Sequence, residues 1–549
     1  MLYPQSNAYR SARKLDGYWD FQMDPLEKGE TDNFPRGLMK PRVIAVPASW
    51  NEQANELYHY HGRAWYQTRF ALNQSDLEGR IVLRFSSVQY SARVYVNGKE
   101  VGCNDAPYLP FEWEVTAYVH RGENLLVLCV DGTPNEEEPV QICDFYGYAG
   151  IARPVFVCVL PKTYIADICV TAGMDGIARM AVNVQGERTS CVIQAQIDEE
   201  ICVLKTDGAC YTGNLCVRDV QLWSVEEPRL YSLHITLFLN GEALDSYCLK
   251  IGFRNISTQG RQILLNGKPI LLKGFGRHED FHILGKGLSH ALNVRDFDLM
   301  KWTGANSFRT SHYPYSEEML ELADREGMLV ISEAPFAGMG FKQFTNPATC
   351  EKAVSYMRRL IERDRNHPGI ISFSIGNECQ SDIPEAEEFF LPVIRTAKEL
   401  DERPVTYVAW TKPEEDRIYR HVDWIGLNRY YGWYGYENWP GSAKPGDLDE
   451  ALTQMEDCLL TFERLYDAPL LVTEFGADTI AGMHSTFMLQ FTEEFQTRFL
   501  REYIRLLKRH PAVAGMHVWN FADFATEQSP GPVSYTHLDV YKRQRLSCV

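Results

Sequence analysis

Residues 364–378 read DRNHPGIISFSIGNE, and this stretch decides the fold. Asp364, Arg365, Asn366 and His367 form a polar helix end, which Pro368 stops from continuing. Gly369 to Ile375 is a short apolar run, Ile370, Ile371, Phe373 and Ile375 with small serines between, and reads as a buried strand. The strand delivers Asn377 and Glu378 at its C-terminal end, where a parallel-barrel enzyme keeps its chemistry. Alone, Glu378 would serve equally well as the cap of a following helix, so the flanking chain must decide.

Around this stretch, strand-like runs recur at 270–276, 305–311, 328–334, 369–378, 404–409, 424–430, 469–476 and 513–524. Helical patterns separate most of them. One opens with Ser316 as cap and Glu317 and Glu318 in the first turn, and Gly327 closes it. A later one carries Phe487, Phe491, Phe495 and Phe499 at steps of four, a stripe expected to face the core. Eight β/α repeats in series predict a (β/α)8 TIM barrel over 254–532.

Upstream, helical periodicity is absent. Residues 1–160 hold alternating runs such as Arg80 to Phe85 and Ala92 to Val96, the latter followed by the hairpin pair Asn97-Gly98. This predicts a jelly-roll-like β-sandwich. It ends in Asp144-Phe145-Tyr146-Gly147-Tyr148-Ala149-Gly150, which taken alone reads as loop packing. Residues 161–253 show the same short strands, with a second Asn-Gly pair at Asn240-Gly241, and predict an immunoglobulin-like β-sandwich. After residue 524 the barrel still needs an eighth helix. The chain instead runs through Pro530-Gly531-Pro532 into VSYTHLDVYKRQRLSCV, residues 533–549. That segment reads as a non-native tail like a translated vector scar, leaving a barrel that lacks its last helix.

The 549 residues are too many for one core. A net charge of −18 repels phosphate backbones, so no nucleic-acid partner is expected. The 14 cysteines include no CxxC pair, so neither a metal nor another cofactor is expected. Cys158, Cys169 and Cys202 sit in apolar runs, which fits buried free thiols in a reducing, cytoplasmic setting. No window is long and apolar enough to be a signal core or a membrane span. A homo-oligomer is the expected assembly.

The strand ends collect Arg277, His278, Glu279 and Asp280; Arg309, His312 and Tyr313; Glu333; Asn377 and Glu378; Asn428, Tyr430 and Tyr434; Glu474; and Trp519, Asn520 and Asp523. Carboxylates and amides suit hydroxyls, and rings suit sugar faces, so a small-molecule glycoside is the expected partner. Glycoside cleavage needs two carboxyls across the scissile bond, about 5 Å apart when configuration is retained. Glu378 and Glu474 end strands that face each other over the barrel mouth. Tyr430 is placed to hydrogen-bond Glu474 and favour its charged form. Glu333 competes as the second carboxylate, but its strand lies beside that of Glu378.

The motifs Asn306 to Pro314, Gly376-Asn377-Glu378 and Thr473-Glu474-Phe475-Gly476, set in this three-part layout, resemble glycoside hydrolase family 2 over residues 10 to 530. Asp144-Phe145, Gly276 to Asp280, Asn428 to Tyr434 and Trp519 to Thr526 resemble its β-glucuronidase branch most. The resemblance implies Glu378 as acid/base, Glu474 as nucleophile and Asn377 as the contact to the sugar 2-hydroxyl. It also implies that Asp144, His278, Asn428, Tyr430, Tyr434 and Trp519 line the sugar pocket. The implied activity is release of terminal β-D-glucuronic acid. A β-galactosidase-type specificity and a non-catalytic sugar-binding protein remain alternatives. Three departures stand out. Phe373 and Gly376 replace the family's usual Trp and a slightly larger residue. The segment 334–347 is short, which leaves an open mouth. The Asn-x-Lys pair and Arg that read the sugar carboxylate have no counterpart after the eighth strand.

Overall fold

The computed structural model describes residues 1–135, 137–140, 145–206, 208, 210–434 and 446–526. Two β-sandwiches and a closed parallel barrel follow one another along the chain. The first sandwich packs a six-stranded sheet on a four-stranded one. Trp19, Phe21, Trp50, Tyr66, Phe85 and Phe111 fill the space between. The Asn97-Gly98 turn joins Ser91–Val96 to Lys99–Asn104, with both residues at positive φ (50° and 78°), as this tight hairpin requires. Asn240 and Gly241 (54° and 90°) do the same between Tyr231–Leu239 and Glu242–Ile251 in the second sandwich.

The eight barrel strands are Leu272–Arg277, Ser307–Thr310, Leu329–Glu333, Ile370–Asn377, Val405–Ala409, Trp424–Asn428, Leu470–Glu474 and Val513–Val518. They pair in sequence order, and the first closes on the eighth. The barrel ring is therefore complete. The expected missing helix and the expected non-native tail lie outside the described residues.

Three expectations need correction. The eighth strand ends at Val518 rather than reaching Phe524, because Trp519 leaves the sheet to lie over the mouth. The phenylalanine stripe is only half real. Its helix begins at Glu493, so Phe495 and Phe499 are buried on its inner face, whereas Phe487 lies in the preceding loop, 84% exposed. Of the three cysteines read as buried, only Cys158 is; Cys169 and Cys202 are half-buried free thiols.

The end of the barrel opposite the strand C-termini is plugged. Trp223, Ile256, Ile263 and Leu265 pack against Leu272, Leu329, Ile371 and Leu471. The Trp223 indole N–H donates to the Asp324 carbonyl (2.8 Å). The first sandwich is locked to the barrel by buried charge. Arg84 donates to Glu317 (2.5 Å), and Arg153 donates to Glu279 (2.9 Å) and to the Pro314 carbonyl (2.7 Å). Breaking one partner of such a buried pair costs about 3–5 kcal/mol, so the sandwich is a fixed wall of the mouth.

Candidate active site

The fourth strand sets the site. Its last residue is Asn377, and Glu378 follows with φ +52°, a left-handed conformation that strains a residue with a Cβ. The Glu378 N–H is tied to the Val408 carbonyl of the fifth strand (2.9 Å), which holds that turn in place. Asn428, from the end of the sixth strand, donates through Nδ2 to Glu378 Oε1 (2.7 Å) and to Asn377 Oδ1 (3.2 Å). Its own Oδ1 accepts from Thr473 Oγ1 (2.8 Å), the residue before Glu474. One asparagine thus spans from Glu378 to the strand that carries Glu474.

Arg309 makes the second bridge. It is fully buried. Its Nη1 donates to both Glu333 oxygens (2.7 and 2.8 Å) and to Asn377 Oδ1 (3.4 Å), and its Nη2 donates to Glu474 Oε1. Asn377 Oδ1 therefore accepts from Arg309 and Asn428 together, which turns the amide nitrogen of Asn377 away from both. Glu474 Oε2 accepts from the Tyr430 hydroxyl (2.6 Å).

Glu333 has a different environment. Beside Arg309 it accepts from Ser374 Oγ (2.9 Å) and pairs with His312 Nδ1 (2.9 Å). Burial raises its pKa, but Arg309 and His312 overcome that and hold the carboxyl below its ordinary range. The competing carboxylate is thus a sealed structural anion with 0% exposure. For Glu474, burial wins. It pushes the carboxyl up to about 7 against Arg309, with the Glu378 charge adding to the rise and His312 and Tyr430 opposing it. The Tyr430 bond is present as expected, but it does not by itself offset the effect of burial on Glu474.

The remaining residues form an aromatic wall. Trp519 stacks over His312 (5.1 Å, 20°) and meets His278 edge-on (5.4 Å). Gly476 permits this, since a Cβ there would lie 2.2 Å from the Trp519 carbonyl oxygen. His278 stacks on Phe524 (4.1 Å), and its Nδ1 lies 3.1 Å from the Tyr313 hydroxyl. Burial, with His312 and Lys286 next, pushes its pKa well below the ordinary histidine value, so the ring is neutral. His278 Nε2 has no partner among the described residues. Tyr434 stands at the rim against Tyr430 (5.0 Å). Phe145, from the sandwich loop, packs on His278 (5.4 Å) and Tyr313 (5.4 Å), so that loop reaches the mouth. Asp144 lies outside the described residues.

Of the sequence-predicted residues, Glu378, Glu474, Asn377, Asn428 and Tyr430 form one hydrogen-bonded network. His278 and Trp519 form the wall beside it. Sequence reasoning placed Arg309 and Glu333 at strand ends but missed that a single guanidinium ties both Glu333 and Glu474. A buried arginine among inward carboxylates was the available signal. Among the described residues no group of three His, Cys, Asp or Glu is arranged to hold a metal.

The chain matches three sequence families end to end. These are "Glycosyl hydrolases family 2, sugar binding domain" over 12–161, "Glycosyl hydrolases family 2" over 163–254 and "Glycosyl hydrolases family 2, TIM barrel domain" over 256–546. The chain belongs to glycoside hydrolase family 2. Among curated family 2 relatives, it is 35% identical to a β-glucuronidase of Paenibacillus borealis, covering 99% of this chain and 96% of that one. It is also 35% identical to human β-glucuronidase, over 99% and 90% of the two chains. Among solved family 2 structures, Ruminococcus gnavus β-glucuronidase superposes with a TM-score of 0.90 at 33% identity, covering 99% of each chain. The same enzyme in complex with D-glucuronic acid matches equally well. No helix among the described residues is long and apolar enough to cross a membrane.

Proposed function

We propose that this family 2 hydrolase is a retaining β-glucuronidase that releases terminal β-D-glucuronic acid by double displacement. The observation that carries this is the pair of bridges, Asn428 and Arg309, that hold Glu378 and Glu474 to one gap. The β-glucuronidase relatives support the choice of sugar.

Glu474 is the nucleophile and Glu378 the acid/base. A Glu474 oxygen attacks the anomeric carbon as the glycosidic C–O bond breaks, and the Glu378 proton passes to the leaving oxygen. Glu378 then takes a proton from water, whose oxygen displaces Glu474. The two carboxyls act as a coupled pair. A proton on Glu378 removes one of the charges that raise Glu474, so protonating the acid helps ionise the nucleophile. Arg309 and Tyr430 stabilise that charge without taking part in bond making. The Asn377 amide nitrogen, turned outward by two donors on its oxygen, binds the sugar 2-hydroxyl. His278, Asn428, Tyr430, Tyr434 and Trp519 line the sugar pocket, with Asp144 assigned there from family resemblance alone. The region after Thr526, where the sugar carboxylate would be read, lies outside the described residues.

Residues 1–160, 161–253 and 254–532 serve as sugar-binding-like sandwich, immunoglobulin-like sandwich and catalytic barrel. A cytoplasmic homo-oligomer is the proposed working form, supported by the free thiols and by exposed Ile201 and Val203 on a sheet-edge strand. Light scattering tests the assembly.

The activity is tested with 4-nitrophenyl β-D-glucuronide and β-D-galactoside. The expected result is kcat/KM at least a hundredfold higher on the glucuronide, with β-glucuronic acid as first product by NMR. Equal or reversed preference overturns the choice of sugar, and α-product overturns retention.

A further inference from the structure

The segment after the first barrel strand carries Gly285-Lys286-Gly287, and its fold drives a lysine indoors. The Ser49 N–H of the first sandwich donates to the Leu284 carbonyl (2.9 Å), and the Lys286 N–H donates to Ser49 Oγ (3.1 Å). A Cβ at Gly285, which sits at φ +56°, would lie 2.6 Å from the Ser49 side chain, and one at Gly287 would lie 2.8 Å from the Ala48 Cα. Glycine on both sides thus lets the two backbones meet. Lys286 between them is 3% exposed. Its ammonium lies 3.7 Å from the centre of the Tyr313 ring, with Phe145 (5.0 Å) and Tyr148 (5.9 Å) around it. Tyr108 stacks on Tyr313 at 4.6 Å (12°), so the ammonium takes the opposite face.

A charge over that face reaches the sugar pocket through the Tyr313 hydroxyl. Its oxygen accepts from the Glu279 N–H (3.1 Å) and stands 3.1 Å from His278 Nδ1 and 3.5 Å from the Glu279 carbonyl oxygen. Two hydrogen arrangements satisfy these distances. In one, the hydroxyl donates to Nδ1, which leaves the hydrogen of the neutral imidazole on Nε2. In the other, Nδ1–H donates to the hydroxyl, which turns to the carbonyl, and Nε2 is a bare acceptor. The second makes the phenol oxygen accept twice. A cation held against the π face draws electron density from the ring, so the hydroxyl becomes a stronger donor and a weaker acceptor. The first arrangement follows. His278 Nε2 is buried with no partner among the described residues, and a buried donor in that state calls for an acceptor from a ligand.

We propose that Lys286 is a positioning residue of the sugar pocket: its charge, acting through Tyr313, fixes the hydrogen of His278 on Nε2, where it donates to an oxygen of the bound sugar. The sugar contact rests on the proposed place of His278 in the pocket; the position of the hydrogen does not.

Two measurements test this. The first needs no substrate. Long-range proton–nitrogen NMR of the protein with isotope-labelled histidines, the His278 signal being assigned by its loss in His278→Gln, is expected to show the hydrogen on Nε2 at neutral pH. Lys286→Met, which keeps the side-chain length, is expected to move the signal toward the Nδ1–H form. A hydrogen on Nδ1 in wild type, or a His278 pattern unmoved in Lys286→Met, overturns the proposal. The second is a double-mutant cycle in kcat/KM on 4-nitrophenyl β-D-glucuronide. Lys286→Met and Tyr313→Phe, which keeps the ring but removes the relay, are each expected to cost about tenfold, the scale of one hydrogen bond. The double variant is expected to lie within about twofold of either single one. A lysine that only packs the turn against the sandwich gives costs that multiply. Multiplying costs, or Lys286→Met at the wild-type rate, overturn the proposal. If wild type prefers the β-galactoside, the cycle is read on that substrate, and the glucuronide reading falls while this one stands. If no glycoside is turned over, the NMR comparison alone decides. If Lys286→Met does not fold, Lys286→Gln takes its place in both measurements.

Discussion

Glu333 and Glu474 hang from the same guanidinium and end in opposite states. Glu333 accepts from Arg309 Nη1 on both of its oxygens, accepts from the Ser374 hydroxyl, pairs with His312, and is held charged. Glu474 receives one Arg309 contact and one from Tyr430, faces Glu378, and is pushed up to about 7. Equal burial therefore does not give equal chemistry; the number of donors per oxygen decides. The saturated carboxylate is a scaffold. The under-saturated one is left reactive, with its missing stabilisation to be supplied as charge develops on the substrate.

The largest expected effect separates the pair by role. Glu474→Ala should lose about 10⁴- to 10⁶-fold in kcat on any glycoside, as when a covalent nucleophile is removed. Glu378→Ala should lose about 10²- to 10⁴-fold, less on 4-nitrophenyl than on alkyl glycosides, because an activated leaving group needs less acid help. Glu333→Gln should cost about 3–5 kcal/mol of stability, read by thermal or urea unfolding, because it strips a buried cation of its main partner. It should also free Arg309 for Glu474 and move the acid limb of kcat/KM, set near pH 7 by Glu474, to lower pH. If instead Glu333→Gln is as inactive as Glu474→Ala while remaining folded, the division of labour is wrong.

Smaller effects follow from the same contrast. Tyr430→Phe removes a donor that lowers the Glu474 pKa, so the acid limb should move up and kcat/KM should fall about 10- to 100-fold. The stability linkage has opposite signs at the two sites. Glu474 has a folded pKa above its unfolded value, so the protein binds the extra proton when folded and loses that stability as pH rises from about 4.5 to about 7. Glu333 has a lowered folded pKa, so its contribution is present above the unfolded value and is lost as pH falls. Unfolding of Glu474→Gln minus wild type should therefore shift in the stabilising direction between pH 5 and 7.5, while the same difference for Glu333→Gln shifts in the destabilising direction as its wild-type carboxylate ionises.

The barrel was legible because each strand is a short apolar run that ends in a polar residue, and 369–378 shows this in its purest form. The Asn-Gly hairpins were legible because few other pairs tolerate two positive φ values in succession. Phe487 misled because a step of four cannot say where a helix begins; Thr492, whose hydroxyl accepts from the Phe495 N–H, is the true cap. Trp519 misled because an aromatic run continues a strand pattern even where the chain has turned over the mouth. In the site, Glu378 and Glu474 were readable from motif and strand end. The Arg309 bridge was not, since it joins residues 24 and 165 positions apart through a rotamer that no local pattern records.

The most direct test of the division between Glu474, Glu378 and Glu333 is covalent trapping. A 2-deoxy-2-fluoro-β-glucuronyl fluoride slows both steps, the second more, so the glycosyl-enzyme accumulates and its peptide can be sequenced by mass spectrometry. One label per chain is expected, on Glu474, with Glu333 untouched. A label on Glu378 or Glu333, or turnover with no trapped species, would contradict it.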